Sequence, residues 1–250
     1  MKRYWANAAL PVLVLLLTAS AILGDEAAAG KASEKTPELE IASTVAKKVD
    51  RDEAAWRELT AKLQKAVEAY NPASVHVMPE GQSLEAFRSY CAKLLDSGKN
   101  LVALHEKWHK ASDGLGDSLR KAPAYYRSAS KAMREKAETM RFAAIKERYL
   151  LTADIWEELA RKAEERAKDL SLDQGSKGVV DLIREENTFL TDFISTLDAL
   201  PRVSGEEGGR YGELIEVLRR HAKQSDELHR QLKLFRDKLK AGSQDGPSSR

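Results

Sequence analysis

Apolar residues recur at alternating intervals of three and four along most of the chain. Two stretches show this most clearly. They are Leu84, Phe87, Cys91, Leu94, Gly98, Leu101, His105 and Trp108, and then Tyr211, Leu214, Leu218, His221, Ser225, Leu228, Leu232, Phe235 and Leu239. This spacing places the named side chains on one face of a helix, which forms an apolar seam. The sequence therefore predicts an all-α protein whose helices pack through heptad seams.

Capping and helix-breaking residues divide the pattern into about five helices. Thr36-Pro37 is typical of a helix start, and Ser83 is typical of an N-cap. The glycines Gly114 and Gly116 predict the end of the second helix, with the third beginning near Pro123. The predicted helices cover about 37–71, 83–111, 123–170, 179–200 and 210–240. Their unequal lengths argue against a tandem repeat array, and an elongated antiparallel bundle or coiled coil is the predicted arrangement.

The two ends of the chain differ in composition from the middle. Lys2 and Arg3 precede an apolar run, and small residues follow at 19–21, so residues 1–21 are predicted to be a secretory signal peptide. Residues 22–36 lack bulky side chains and form a predicted flexible linker. A single helical bundle domain is predicted over 37–240, with a disordered tail over 241–250. The protein would be periplasmic or extracellular, or tethered to the membrane if the signal is not cleaved.

Charge and cysteine content restrict the function only coarsely. The formal net charge is +2, and removal of Lys2 and Arg3 leaves 39 basic and 39 acidic residues from the initial 41 and 39. A balanced charge gives no reason to expect a nucleic-acid partner. The single cysteine, Cys91, cannot form an internal disulfide and lies on a predicted seam, so we interpret it as a core residue.

The segment His105-Glu106-Lys107-Trp108-His109 could bind a metal ion. Over these five residues it resembles the zincin metalloproteases, in which two histidines one helical turn apart bind zinc and the glutamate acts as general base. The resemblance implies His105 and His109 as metal ligands and Glu106 as the catalytic residue. Ser112 and Leu115 replace the glycine and third histidine of the longer metzincin motif, and nothing selects Glu135 or Glu138 as a third ligand. The competing interpretation places His105 in the core.

A second set of residues resembles bundle proteins that hold two carboxylate-bridged metal ions. Asp226 and His229 repeat the three-residue spacing of Glu106 and His109, and His221 lies on the seam of the same helix. Such sites combine an acidic-x-x-His pair from each of two helices with further carboxylates. Glu185 and Glu186 are the candidates on the fourth helix, although neither has an evident inward position. Zinc or iron would be the metal in this interpretation.

Basic residues are concentrated in two parts of the chain. Between Ser118 and Arg148 nine basic residues accompany three acidic ones, and the last helix has eight basic and three acidic residues from Arg219 to Lys240. A basic face of this kind would bind anionic lipid or an anionic polymer. The alternative is that these residues pair with the acidic fourth helix or remain solvated.

Taken together, the seams favour a non-catalytic protein that binds or scaffolds other components of the cell envelope. The partner would be another protein or a second copy, bound through helix seams. The first alternative is a metal-binding protein or zinc-dependent hydrolase that uses residues 105–109. The second alternative is binding to a membrane surface or anionic polymer through the basic helices.

Overall fold

The computed structural model describes residues 36–72, 83–171, 177–199 and 207–244. These residues form five α-helices and no strand, which confirms the predicted all-α bundle. The helices are α1 (Pro37–Ala69), α2 (Leu84–Thr139), α3 (Ala143–Ser171), α4 (Lys177–Ala199) and α5 (Glu207–Gln244). The backbone N–H of Ala86 donates a hydrogen bond to Ser83 Oγ at 3.2 Å, so the predicted N-cap of α2 is present.

Helix α2 is longer than the sequence predicts. The predicted break between residues 111 and 123 is wrong, because α2 continues through Gly114, Gly116 and Pro123 to Thr139. The reason is that the heptad seam does not stop at these residues. After the partly exposed Ala111 and Ser112, its buried members resume as Leu115, Leu119, Ala122, Tyr126, Ala129, Met133 and Ala137. Packing of this seam outweighs the two glycines and the hydrogen bond that Pro123 cannot donate.

The chain instead turns at residues 140–142, where the sequence contains neither glycine nor proline. The N–H of Met140 donates to the Ala137 carbonyl at 3.2 Å, and the Thr139 hydroxyl donates to the Lys136 carbonyl at 2.8 Å. These local bonds satisfy two of the last four carbonyl groups of α2. Phe142 lies in this turn with 71% of its surface exposed.

The described helices form two compact units. Among the described residues, the first unit comprises 36–57 and 110–171, and the second comprises 58–72, 83–109, 177–199 and 207–244. Helices α1 and α2 therefore each contribute one segment to each unit. Helix α3 belongs to the first unit, and α4 and α5 belong to the second.

The first unit is a bundle of three helical segments. Tyr126 of α2 packs against Trp156 of α3 with ring centroids 5.5 Å apart. Two ion pairs show that α2 and α3 are antiparallel, since Arg127 reaches Glu164 at 2.8 Å and Arg134 reaches Asp154 at 2.6 Å. The core of this unit consists of Ala42, Ala46, Val49 and Trp56 of α1, the α2 residues named above, and Tyr149, Ala153, Trp156, Ala160 and Ala163 of α3.

The second unit packs segments of α1 and α2 with α4 and α5. Both predicted stripes are confirmed where the side chains are described, because Phe87 to Trp108 and Leu214 to Leu239 supply its buried faces. Helices α2 and α4 run antiparallel, since Arg88 contacts Asp198 and Arg184 reaches Glu106 at 2.9 Å. Phe87 and Phe193 meet edge to face at 6.0 Å between centroids. Helix α5 extends to Gln244, past the predicted end at residue 240.

The predicted signal peptide and most of the linker lie outside the described residues, as does the tail after residue 244. Within the described ranges, no helix combines the length and apolar character that crossing a bilayer requires.

Candidate functional site

His105 and His109 lie in the second unit, one helical turn apart on α2. Their ring centroids are 6.3 Å apart. The His105 ring is buried beside Trp108 and Phe235, with centroids at 5.5 and 5.8 Å. Its Nε2 atom has no hydrogen-bond partner among the described residues. His105 therefore occupies the seam position that the core interpretation predicts.

The surroundings of His105 keep its imidazole neutral. Burial lowers its pKa from 6.5 to about 4, and the positive charges of His109 and Arg184 contribute in the same direction. Trp108 completes this part of the core by donating its indole N–H to the buried Thr60 hydroxyl at 2.9 Å. A neutral imidazole is the form that binds metal ions, so the protonation state of His105 is compatible with a metal ligand.

Glu106, the proposed general base, lies on the exposed side of α2. Its carboxylate accepts a hydrogen bond from Arg184 of α4 at 2.9 Å, and the same guanidinium binds Asp181 at 3.0 Å. Both candidate third ligands, Glu135 and Glu138, belong to the first unit. Across the described residues, no group of three or more His, Cys, Asp or Glu side chains is arranged to hold a metal ion. Metal binding by His105 and His109 stays a prediction.

The second set of predicted residues includes the most buried ionisable pair in the second unit. Glu186 and His221 have only 2% and 7% of their side-chain surfaces exposed, and His221 Nε2 lies 2.8 Å from a Glu186 carboxylate oxygen. The other ring nitrogen, Nδ1, lies 2.9 Å from the Gln224 amide oxygen. Phe189 stacks on the imidazole at 3.5 Å between centroids. Asp226 and His229 lie on the exposed side of α5.

Glu186 therefore has an inward position that the sequence interpretation missed. The signal was present, because Glu186 falls in the three-and-four register of its helix. The buried members of α4 are Val179, Val180, Ile183, Glu186, Leu190, Phe193 and Leu197. Burial of a carboxylate is unfavourable unless hydrogen bonds replace its hydration, and His221 supplies one of them. The second oxygen of Glu186 accepts no hydrogen bond from the described residues.

Further polar atoms are buried around this pair. Tyr70 Oη, Asn187 Oδ1 and Ser225 Oγ also have no hydrogen-bond partner among the described residues. Burial and the negative charge of Glu186 raise the pKa of Tyr70 far above its ordinary value, so the phenol stays protonated. A Cβ atom at Gly98 would overlap the Asn187 side chain, so the glycine permits α4 to pack closely here. We call Tyr70, Glu186, Asn187, His221 and Ser225 the polar layer.

The first unit contains a smaller polar cluster that the sequence did not predict. Ser118 of α2 is buried, and its hydroxyl donates to Asp52 at 2.7 Å, while Lys48 binds the same carboxylate at 3.1 Å. The pKa of Asp52 is lowered: partial burial acts to raise it, but the hydrogen bonds from Ser118 and Lys48 outweigh that effect. The cluster explains how Asp52 is accommodated in an otherwise apolar seam.

The basic stretch of α2 is partly neutralised within the first unit. Arg127 binds Glu157 and Glu164, and Arg134 binds Asp154. These partners belong to α3, whereas the sequence interpretation proposed the fourth helix. Comparison with known proteins adds no further information, since no protein family, curated protein or solved structure matches the chain.

Proposed function

We propose that the chain is a non-catalytic helical protein of the cell envelope that binds another protein, or a second copy of itself, through an exposed helix face. The observation that carries this proposal is a pair of exposed apolar residues, Leu151 and Ile155, on the outer side of α3. Their exposed fractions are 58% and 38%. Single exposed leucines are ordinary on protein surfaces, but these two residues are one helical turn apart and together form an apolar stripe on the exposed side of α3.

The geometry of α3 supports a docking role for this stripe. Tyr149, Ala153 and Trp156 face the core of the first unit. Leu151 and Ile155 follow the first two by two residues, or about 200° around the helix, and so lie on the opposite side. An apolar pair spaced by four residues is the arrangement through which a helix docks on a partner helix or groove.

The test introduces a photo-crosslinking amino acid at position 151 in cells that produce the protein. We expect one discrete cross-linked product, either a dimer or a complex with a single partner, that is lost when Ile155→Ser is added. The matched control places the same amino acid at Val217, which is similarly exposed on α5. Equal cross-linking at both positions, or a product that persists with Ile155→Ser, would contradict binding through this face.

Location in the cell envelope is the second part of the proposal, and it is supported by the composition of residues 1–21. Mass spectrometry of the chain recovered from fractionated cells tests it directly. We expect an N-terminus near Ile22 and recovery with the periplasmic or extracellular fraction. An intact Met1 in the cytoplasmic fraction would refute export.

Metal binding is a second candidate function, and one specific observation favours it. His105 is neutral, its buried Nε2 atom has no hydrogen-bond partner among the described residues, and His109 lies one helical turn away. The two rings would supply the protein ligands, and zinc or iron would supply Lewis acidity. The readout is elemental analysis of the purified chain beside a His105→Ala/His109→Ala variant.

A further inference from the structure

The turn between α2 and α3 combines a highly exposed aromatic ring with unpaired cations. Phe142 is the most exposed large apolar side chain in the described part of the chain. Arg141, Lys146 and Arg148 are also exposed, and none of them forms an ion pair with a described residue. We call these four residues the basic turn. They differ from Arg127 and Arg134, whose charges α3 already neutralises.

From the exposure of these four side chains and the unneutralised charge of the three cations, we infer that the basic turn is a docking surface for an anionic lipid bilayer. Phe142 enters the membrane interface, and the three cations contact lipid phosphate groups. The inference does not depend on the protein-binding function proposed above, because Leu151 and Ile155 take no part in it. Within the basic stretch from Ser118 to Arg148, the inference assigns lipid binding to residues 141–148, whose cations are not paired with α3.

Charge around the turn is complementary to such a surface. Residues 136–148 include four basic and two acidic side chains, the acidic ones being Glu138 and Glu147. Lys136 extends the positive surface along α2, and its ammonium lies 5.4 Å from the Tyr149 ring. Basic residues near an anionic membrane contribute about 1 kcal/mol each, or roughly fivefold in affinity.

The aromatic ring distinguishes lipid from a soluble polyanion. A dissolved anionic polymer binds cations but gains little from an exposed phenylalanine. At a bilayer surface the ring leaves water for the boundary of the acyl chains, which is favourable in proportion to the apolar area buried. Met140 and Ile145, two and three residues from Phe142 along the chain, are also apolar and are partly exposed.

The experiment measures co-sedimentation of the purified chain with vesicles of 70% phosphatidylcholine and 30% phosphatidylglycerol. We expect Phe142→Ser to weaken binding about tenfold or more, as loss of one buried aromatic side chain implies. The triple variant Arg141→Gln/Lys146→Gln/Arg148→Gln should weaken binding about a hundredfold at low salt. Parent and variants share the same N-terminus, so any contribution of residues 1–35 cancels in the comparison.

Matched controls come from α5. Leu234→Ser removes another exposed apolar residue, and Lys223→Gln/Lys233→Gln/Lys238→Gln removes three exposed charges. We expect less than threefold change from either. Circular dichroism verifies that each variant is folded. A Phe142→Trp variant should also show a blue-shifted emission with these vesicles and quenching by brominated lipid.

Three outcomes would overturn the inference. The parent chain could fail to bind anionic vesicles, or the α5 controls could weaken binding as much as the turn variants do. The third is that the charge variants weaken binding while Phe142→Ser does not, with equal binding to soluble polyglutamate. That result would indicate an electrostatic site for soluble polyanions and exclude insertion into lipid.

Discussion

The pair formed by Glu186 and His221 allows the sharpest quantitative test of the second unit. Leucine is close in volume to both side chains, so Glu186→Leu, His221→Leu and the double variant change polarity while keeping the core filled. In Glu186→Leu, the imidazole of His221 loses its 2.8 Å partner but keeps the contact with Gln224. We expect a loss of about 2 kcal/mol in the free energy of unfolding.

His221→Leu should have a larger effect. It leaves a buried carboxylate of which one oxygen already has no partner among the described residues. Removal of one member of a buried ion pair typically destabilises by about 3–5 kcal/mol, so we expect a loss of about 4 kcal/mol. The double variant removes both polar groups together and should lie within about 1 kcal/mol of the parent. The two sites would then be coupled by at least about 5 kcal/mol.

Cys91 provides the assay. It is the only cysteine, it is fully buried, and it lies in the second unit. Its protection against a brief pulse of thiol reagent at increasing urea concentrations therefore reports unfolding of that unit alone. With a urea dependence of about 2 kcal/mol per molar, His221→Leu should shift the midpoint by about 2 M. Additive single effects in the double variant, or single losses below about 0.5 kcal/mol, would refute a coupled buried pair.

Three further predictions concern glycine substitutions in the two units, the pH dependence of stability, and metal content. Gly98→Ala should destabilise the protein by about 1–3 kcal/mol, because the new methyl group overlaps the Asn187 side chain. At Gly114 a methyl group meets no atom within 4 Å, so Gly114→Ala should stabilise the protein by about 0.5–1 kcal/mol; thermal melts measure both effects. The folded-state pKa of His105 is lowered from 6.5 to about 4, so as the pH falls the unfolded chain binds a proton at this residue before the folded chain does. Urea titrations with a chelator present should therefore show that the free energy of unfolding of the parent falls by about 3 kcal/mol more than that of His105→Leu between pH 6.5 and pH 4. Equal losses in the two proteins would contradict the buried neutral ring. Elemental analysis tests the metal-binding candidate: one equivalent of zinc or iron that disappears in His105→Ala/His109→Ala would establish the site, and no stoichiometric metal in the parent would refute it.

Seam positions were the part of the fold that the sequence predicted well. Each stripe member from Phe87 to Trp108 is buried, because heptad spacing follows directly from helical geometry. The predicted end of α2 near residue 111 was wrong, because the packing of its seam outweighs the cost of Gly114, Gly116 and Pro123 within the helix. Two glycines disfavour a helix by about 2 kcal/mol, while each buried leucine contributes a similar amount.

A shift of register marks the true turn and could have been detected. Continuing the α2 seam past Ala137 by threes and fours leads to residues 140, 144, 148, 151 and 155. The chain instead buries Tyr149, Ala153 and Trp156, and leaves Leu151 and Ile155 outside. One straight helix cannot bury two stripes on opposite faces. The overlap of two registers therefore indicated a break near residue 140 without any glycine or proline.

The polar layer was only partly predictable. Register alone places Glu186 and His221 inward, each on its own helix. Their pairing depends on the relative height and rotation of α4 and α5, which a single sequence does not specify. The same limit applies to Ser118 and Asp52, which meet only when α1 and α2 are packed together.

The interleaving of the two units has a consequence for the order in which they can form during synthesis. All helical segments of the first unit have been made once residue 171 has emerged, so its three-helix core can close on the nascent chain. The segment Glu58–His109 must wait for α4 and α5, and until then its seam from Phe87 to Trp108 lacks those partners. A factor that holds the chain open would act on this segment. Truncation after residue 173 should preserve the three-helix core, whereas no contiguous fragment contains the second unit without part of the first.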